Sequence, residues 1–248
     1  MKDSQTSARV RRAFFKHKLG MVGLVILAIL YLTILFADVI SPYNYLETHR
    51  NFEHVPPSRI RWKHEDEWKG PFVYGVKKVR DPETLAVSYQ EDQTKIYPIY
   101  WFTQGETYKF LGLWETDFHL FGLGKEAKGF LFLFGADRFG RDVFSRILQG
   151  GRVSLTAGLI GTFISVVIGA IIGALSGYFG GWIDTLIQRF IEILRSFPRI
   201  PLWLTLALIL PPGWPSTWVY LGIVVVLAFI GWMGVARVVR GMTLSLRE

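Results

Sequence analysis

The sequence predicts an all-α polytopic membrane protein of four spans, with a β-containing extracytoplasmic insertion between the first two. Three observations carry that prediction. Long apolar stretches free of charge recur along the 248 residues, half of which are hydrophobic, and the mean hydropathy is +0.29. Only 19% of residues are charged, below the roughly 25% of soluble domains. The net charge of +8 is concentrated beside the apolar stretches: residues 43–153 hold 16 Lys and Arg against 15 Asp and Glu, so the excess lies outside them. That distribution fits cytoplasmic ends of membrane spans rather than nucleic-acid binding.

The first span is predicted over Leu19–Ala37, long enough for a bilayer core of about 30 Å. Lys2, Arg9, Arg11, Arg12, Lys16 and Lys18 precede it, opposed only by Asp3, which predicts a cytoplasmic N-terminus. The stretch is too long for a signal peptide's apolar core and lacks its small-residue cleavage site. The second span is predicted from Ser154 to about Leu175, ended by Gly177-Tyr-Phe-Gly-Gly181. Within it Ala157, Gly161, Ser165, Gly169, Gly173 and Gly177 recur every four residues. Small residues at that spacing form a ridge on which another helix can pack closely.

The third span is the difficult one. Only Ile200–Leu210 is uncharged, about 16 Å of helix. It must recruit the amphipathic turns before it, which brings Arg189, Glu192 and Arg195 toward membrane depth. There they should face protein or a wet cavity and pair at helical spacing. Pro198 and Pro201 should kink it. A helix lying flat at the interface before a short span is the alternative. Pro211-Pro-Gly-Trp-Pro215 makes a turn, and Thr217–Ala236 is the fourth span, followed by Arg237, Arg240 and Arg247. Four crossings return the C-terminus to the cytoplasm and leave the segment between the first two spans outside. The organisation is therefore 1–42, N-terminus and first span; 43–133, insertion; 134–248, three spans.

The insertion carries Trp62, Trp68, Trp101 and Trp114, expected to build a core. Lys95–Phe102 and Thr107–Leu111 are predicted to pair as a hairpin around Thr103-Gln-Gly-Glu106, with weaker strands at Phe72–Val79 and Leu85–Tyr89. Pro98 suits an edge strand. Residues 134–148 read as an amphipathic helix on the outer membrane face, with Asp142 and Arg146 spaced to pair.

No catalytic constellation is visible. Cysteine is absent, the five histidines form no zinc motif, no G-x-S-x-G elbow occurs, and Gly124-Lys125 lacks the rest of a P-loop. The sequence therefore names no catalytic, cofactor or metal residue. An intramembrane enzyme would need paired Asp, a Ser/His pair or metal ligands inside the spans. A membrane-anchored extracytoplasmic binding or scaffold protein would need only one or two spans.

Gly135-Ala-Asp-Arg-Phe-Gly-Arg-Asp-Val-Phe-Ser-Arg146 resembles the G-T-D-x-x-G-R-D-V-x-S-R motif of ABC importer permeases for dipeptides, oligopeptides and nickel, in their C-type subunit. Gly151-Arg-Val-Ser-Leu155, Gly177-Tyr-Phe-Gly-Gly-Trp182, Phe197-Pro198, Gly231-Trp232, Ala236-Arg-Val-Val-Arg-Gly241 and Leu244-Ser-Leu-Arg-Glu248 match in order. So do Phe14-Phe-Lys-His-Lys-Leu19 and Phe36-Ala-Asp-Val-Ile-Ser-Pro-Tyr43. The resemblance implies the type I ABC importer transmembrane fold in the bacterial inner membrane. It implies a non-enzymatic permease subunit that rocks between outward and inward openings. The implied partners are a second homologous permease, two cytoplasmic ATPases, an extracytoplasmic solute-binding protein and membrane lipid. Peptide, nickel and oligosaccharide importers share these motifs. Family members continue past S-L-R-E into a cytoplasmic coupling loop and two more spans. The expectation is that Glu248 ends a truncated product or a fragment, inactive alone in uptake.

Overall fold

The computed structural model describes residues 13–65, 67–83 and 87–247. Lys2, Asp3, Arg9, Arg11, Arg12, Glu248 and the start of the strand expected at 85–89 lie outside them. The chain divides into two units, Met1–Arg152 and Val153–Glu248.

Apolar composition makes the first helix of the first unit. Helix α1 (Lys18–Leu35) is capped by His17, whose Nδ1 accepts from the Gly20 amide at 2.8 Å, and its apolar side chains are largely exposed. It gives way at Phe36 to a single turn, α2 (Ala37–Ile40). Five antiparallel strands follow: β1 (Arg61–His64), β2 (Glu67–Arg80), β3 (Val87–Pro98), β4 (Tyr100–Phe110) and β5 (Trp114–Gly122). They form a three-stranded sheet in the order β1-β2-β3 and a separate pair, β4-β5.

This corrects the predicted hairpin. Lys95–Pro98 pairs with β2, through Tyr74↔Ile96 and Phe72↔Pro98, and 100–110 pairs with β5, not with what precedes it. The residues expected as a turn, 103–106, lie inside β4 at an irregularity between Gln104 and Tyr108. Gly105 marks close approach rather than a turn: a methyl group there would come within 2.6 Å of the His119 ring. Pro98 does end an edge strand.

The aromatic core expected of the insertion is formed in part, by Phe72 and Phe132 with Phe52, Phe130 and Tyr89, but the four tryptophans are corrected, because all are exposed. The sheet core is aliphatic, Val73, Ile99, Leu123 and Leu131. A second cluster packs Val55, Phe132 and Ala136 against Phe52, Val76, Tyr89 and Phe130.

Helix α3 (Val143–Phe179) runs unbroken for 37 residues, about 55 Å, so of the amphipathic helix predicted over 134–148 only the part from Val143 is helical, continuous with the span, while 134–142 is turn and bridge. It ends where the glycines predict, at Gly180, which has φ +63°. In the second unit α4 (Gly181–Ser196) stops at extended Phe197 before Pro198, and α5 (Arg199–Leu208) is short. Helix α6 (Ser216–Arg247) is long and apolar. Among the described residues three helices, α1, α3 and α6, are long and apolar enough to cross a membrane. The predicted third span is thus no single helix: proline, which lacks an amide and disfavours helical geometry in the residue before it, divides it at 197–198. Two antiparallel sheets occupy the insertion, where the sequence predicts β structure, so the chain as a whole is not all-α.

The second unit's core is Ile191, Ile230, Trp232, Met233 and Ala236, flanked by Ile172, Ile187, Leu194, Leu202 and Leu206. Helices α3 and α6 run parallel. Gly161 meets Val224 and Leu227, Gly169 meets Trp232 and Val235, and Gly177 meets Arg240 and Thr243. Near the start of that contact the Tyr220 hydroxyl lies 3.2 Å from Thr156 Oγ1.

Candidate functional site

Three constellations of named side chains organise the molecule, one a loop clamp, one a polar cleft and one a helix seam. The clamp is the 135–146 motif. Gly135 (φ +77°) and Gly140 (φ +74°) both occupy left-handed conformations. A methyl group on Gly135 would come within 2.5 Å of the Val55 carbonyl, and one on Gly140 would overlap the His49 carbonyl. The loop can approach so closely because it bonds to that segment: the Ala136 amide donates to Val55 O at 2.9 Å and the His54 amide to Asp137 O at 3.1 Å.

Asp137 closes the clamp. Its carboxylate accepts from the Phe139 amide (2.8 Å), the Arg141 amide (3.1 Å) and Arg141 Nε (2.9 Å), and pairs with Arg146. Despite partial burial, these donors hold its carboxyl down at about 2. The expected Asp142–Arg146 pair is therefore corrected. Asp142 is buried and accepts from the Ser145 amide (2.8 Å) and hydroxyl (2.5 Å) at the start of α3. Burial pushes its carboxyl up. The motif is a fastening for residues 49–58 and a cap for α3.

The cleft, about 330 Å³, is lined by residues including Asp38, Ser41, Tyr43, Glu106, His119 and Gln149. Asp38, just beyond α1, receives Arg152 Nη2 at 3.0 Å and Gln149 Nε2 at 2.6 Å, while Arg152 Nε also donates to Ile34 O at 3.2 Å. Buried His119 lies between two carbonyls, Nδ1 2.6 Å from Ser41 O and Nε2 2.9 Å from Glu106 O. Burial and a hydrogen bond with Glu47 push the Glu106 carboxyl up to about 7. None of these residues was singled out as a site from the sequence, because residues on elements far apart in sequence, α2, β4, β5 and α3, share no periodicity. Among the described residues no group of three or more His, Asp or Glu could hold a metal.

The seam contains the small-residue ridge. Gly161, Ser165, Gly169, Gly173 and Gly177 all lie against α6 of the same chain. A methyl group on Gly169 would come within 2.6 Å of Trp232 O, and one on Gly173 within 3.0 Å of Ala236 Cα. Ser165 Oγ donates to Gly161 O (2.8 Å) and reaches Ala228 O (3.3 Å). The ridge, predicted as a face on which another helix can pack, is thus occupied by α6 of the same chain, at backbone contact that leaves no room for a further helix.

Of the predicted intramembrane charges, Arg189 and Glu192 pair at 2.9 Å and are exposed on α4, as is Arg195. The tighter ion pair was not predicted: Arg240 on α6 donates twice to Asp184 on α4, Nε and Nη2 each at 2.5 Å, and Ser176 on α3 bonds the same carboxylate. Its signal in the sequence was available, one acidic and one basic residue at the charged ends of otherwise apolar stretches.

Residues 5–57 match a family described as the N-terminal TM domain of oligopeptide transport permease C. The chain is 43% identical over 134 residues to the oligopeptide transport system permease protein OppC of Haemophilus influenzae, covering 54% of this chain and 41% of the relative. It is 28% identical over 237 residues to the dipeptide transport system permease protein DppC of Lactococcus lactis, covering 96% of this chain and 57% of that one. It is 46% identical over 115 residues to the glutathione transport system permease protein GsiD of Shigella flexneri, 46% of this chain and 36% of the relative. The chain spans about one third to three fifths of the length of the first three curated relatives it matches, 41%, 34% and 57%. By these matches the chain is similar to permease proteins of oligopeptide, dipeptide and glutathione transport systems.

Proposed function

We propose that the chain is a permease subunit of an ATP-driven importer, forming part of the path by which peptides or similar solutes cross the bacterial inner membrane. The observation that carries this reading is the 43% identity to an oligopeptide permease. The subunit performs no covalent chemistry. Cytoplasmic ATPases supply the energy, a binding protein delivers solute to the outer face, a second permease completes the pore, and helices rock between two openings.

The reading places the N-terminus in the cytoplasm and the sheets outside, as the basic N-terminal residues favour. It also keeps four crossings. Parallel α3 and α6 support this: a chain that leaves α3 at Phe179 and enters α6 at Ser216 must travel back along the contact between them. From Thr156 to Gly177 that contact is about 32 Å long, and 181–215 is the only segment available to cross it. Helices α4 and α5 then make the return crossing in two pieces.

Two measurements test the proposal. Deleting the gene in its own organism and restoring it should abolish and recover uptake of radiolabelled di- and oligopeptides; unchanged uptake in the deletion strain would refute the transport role. A reporter fused near Tyr100 should be active outside the cytoplasm, and a cytoplasmic signal there would overturn the orientation.

A further inference from the structure

A hairpin tip beside α1 has no counterpart in the transport reading. Strands β4 and β5 join at Leu111-Gly112-Leu113, and Leu111, Leu113 and Trp114 are 43%, 69% and 65% exposed. Three neighbouring apolar side chains at a two-stranded tip are costly in water. Leu111 (φ +50°) and Gly112 (φ +74°) both hold left-handed conformations that make the turn tight, and it leaves the flanking apolar side chains exposed. The sheet has a core of its own elsewhere, at Ile99 and Leu123.

The tip's position identifies what covers it. Phe110 stacks on Phe36, ring centroids 6.3 Å apart, and the Leu111 amide lies 3.3 Å from Asp38 Oδ2. Asp38 is the first charge after the apolar run of α1. Its partner Arg152 is the last charge before the 31 uncharged residues 153–183. Two apolar runs from distant parts of the sequence therefore meet water at one ion pair, and Leu111 is bonded to that same carboxylate. Exposed Leu32, Leu35 and Phe36 continue the apolar surface onto α1. On either side of the tip, Lys109 and Glu115 pair at 3.5 Å, exposed where polar headgroups would surround them. Tryptophan, with an apolar body and one N–H, favours this depth.

We propose that the β4–β5 tip is a membrane-interface anchor, with Leu111, Leu113 and Trp114 seated in the lipid of the leaflet that α1 enters at Phe36. The tip then ties the β4–β5 pair to the bilayer beside the first span. This rests on α1 crossing the membrane, though not on what is transported.

The absence of cysteine makes the test direct. Single variants Leu113→Cys, Leu27→Cys and Lys78→Cys are labelled with a nitroxide and reconstituted into phosphatidylethanolamine–phosphatidylglycerol vesicles. Collision with oxygen and with a water-soluble nickel chelate is then compared. Position 27 reports whether α1 is embedded, and exposed position 78 on β2 reports water. Position 113 should show higher oxygen and lower nickel accessibility than 78, shifted toward the values at 27. Values equal to those at 78 would overturn the anchor while leaving α1 in the membrane. Protection from both reagents would overturn it in favour of a protein partner. A water-like position 27 would remove the premise together with the anchor.

Discussion

Between residues 135 and 146 the chain fastens itself with charge and left-handed glycines; between 161 and 177 it fastens itself with glycines in ordinary helix. Gly140 is needed for its φ of +74° and for the nearness of the His49 carbonyl, and Asp137 gathers four donors around one carboxylate. Gly169 and Gly173 keep helical geometry and are needed only because α6 lies against them. The contrast follows from the surroundings. A loop must satisfy backbone groups that no helix satisfies, and an ionised side chain does so well. A helix in lipid has its backbone satisfied already and gains little from apolar burial, so it gains by approaching another backbone closely.

The sharpest way to break that comparison is size on the seam. Gly173→Leu should abolish cooperative folding, because the added atoms meet the Ala236 backbone, which cannot rotate away. Gly158→Leu, on the same helix with open space around it, should fold as the parent does. Yield and thermal denaturation in detergent distinguish them, and equal behaviour would mean that α3 and α6 do not pack on this face.

On the clamp, Gly140→Ala should cost at least about 2 kcal/mol, from φ strain and the clash with His49. Gly150→Ala, in open helix, should be neutral or stabilising by up to about 1 kcal/mol. Denaturant titration of the two variants gives the difference directly.

A smaller effect is expected in the cleft. The Glu106 carboxyl stands at about 7 in the folded chain against an ordinary 4.5. The folded state holds that proton longer than the unfolded state, so the contribution is full below pH 4.5 and is lost as pH rises to about 7. Glu106→Gln should flatten this part of the stability–pH curve, measured by thermal shift, and an unchanged slope would exclude Glu106 as its source.

Least should follow from Glu192→Gln. Its pair with Arg189 is exposed on both sides, and such i,i+3 pairs contribute a few tenths of a kcal/mol, about 0.2–0.5. A melting shift beyond error in lipid would mean that a wet cavity or a partner surrounds the pair.

The apolar helices, the break at Gly180 and the edge position of Pro98 were legible in the sequence. Each depends on local properties: the length of an apolar run, the dihedral freedom of glycine, the missing amide of proline. The β register was not legible. Gly105 and Gly112 look alike in sequence, yet one makes room for His119 and the other turns the chain. The tryptophans misled because aromatic content does not say which face of a strand is covered. The polar cleft was hidden because Asp38, Glu106 and Gln149 come together only when three distant segments meet.

The spacing of Gly161, Ser165, Gly169, Gly173 and Gly177 by itself determined that α3 carries a flat packing face, since every fourth residue of a helix lies on one side. Only the tertiary structure decided that α6 of the same chain fills it, and in parallel orientation. A small-residue ridge limits how near a partner can come but holds no information about which helix that is. The choice belongs to residues elsewhere, to the connection through 181–215 and to the Asp184–Arg240 pair that joins α4 to α6.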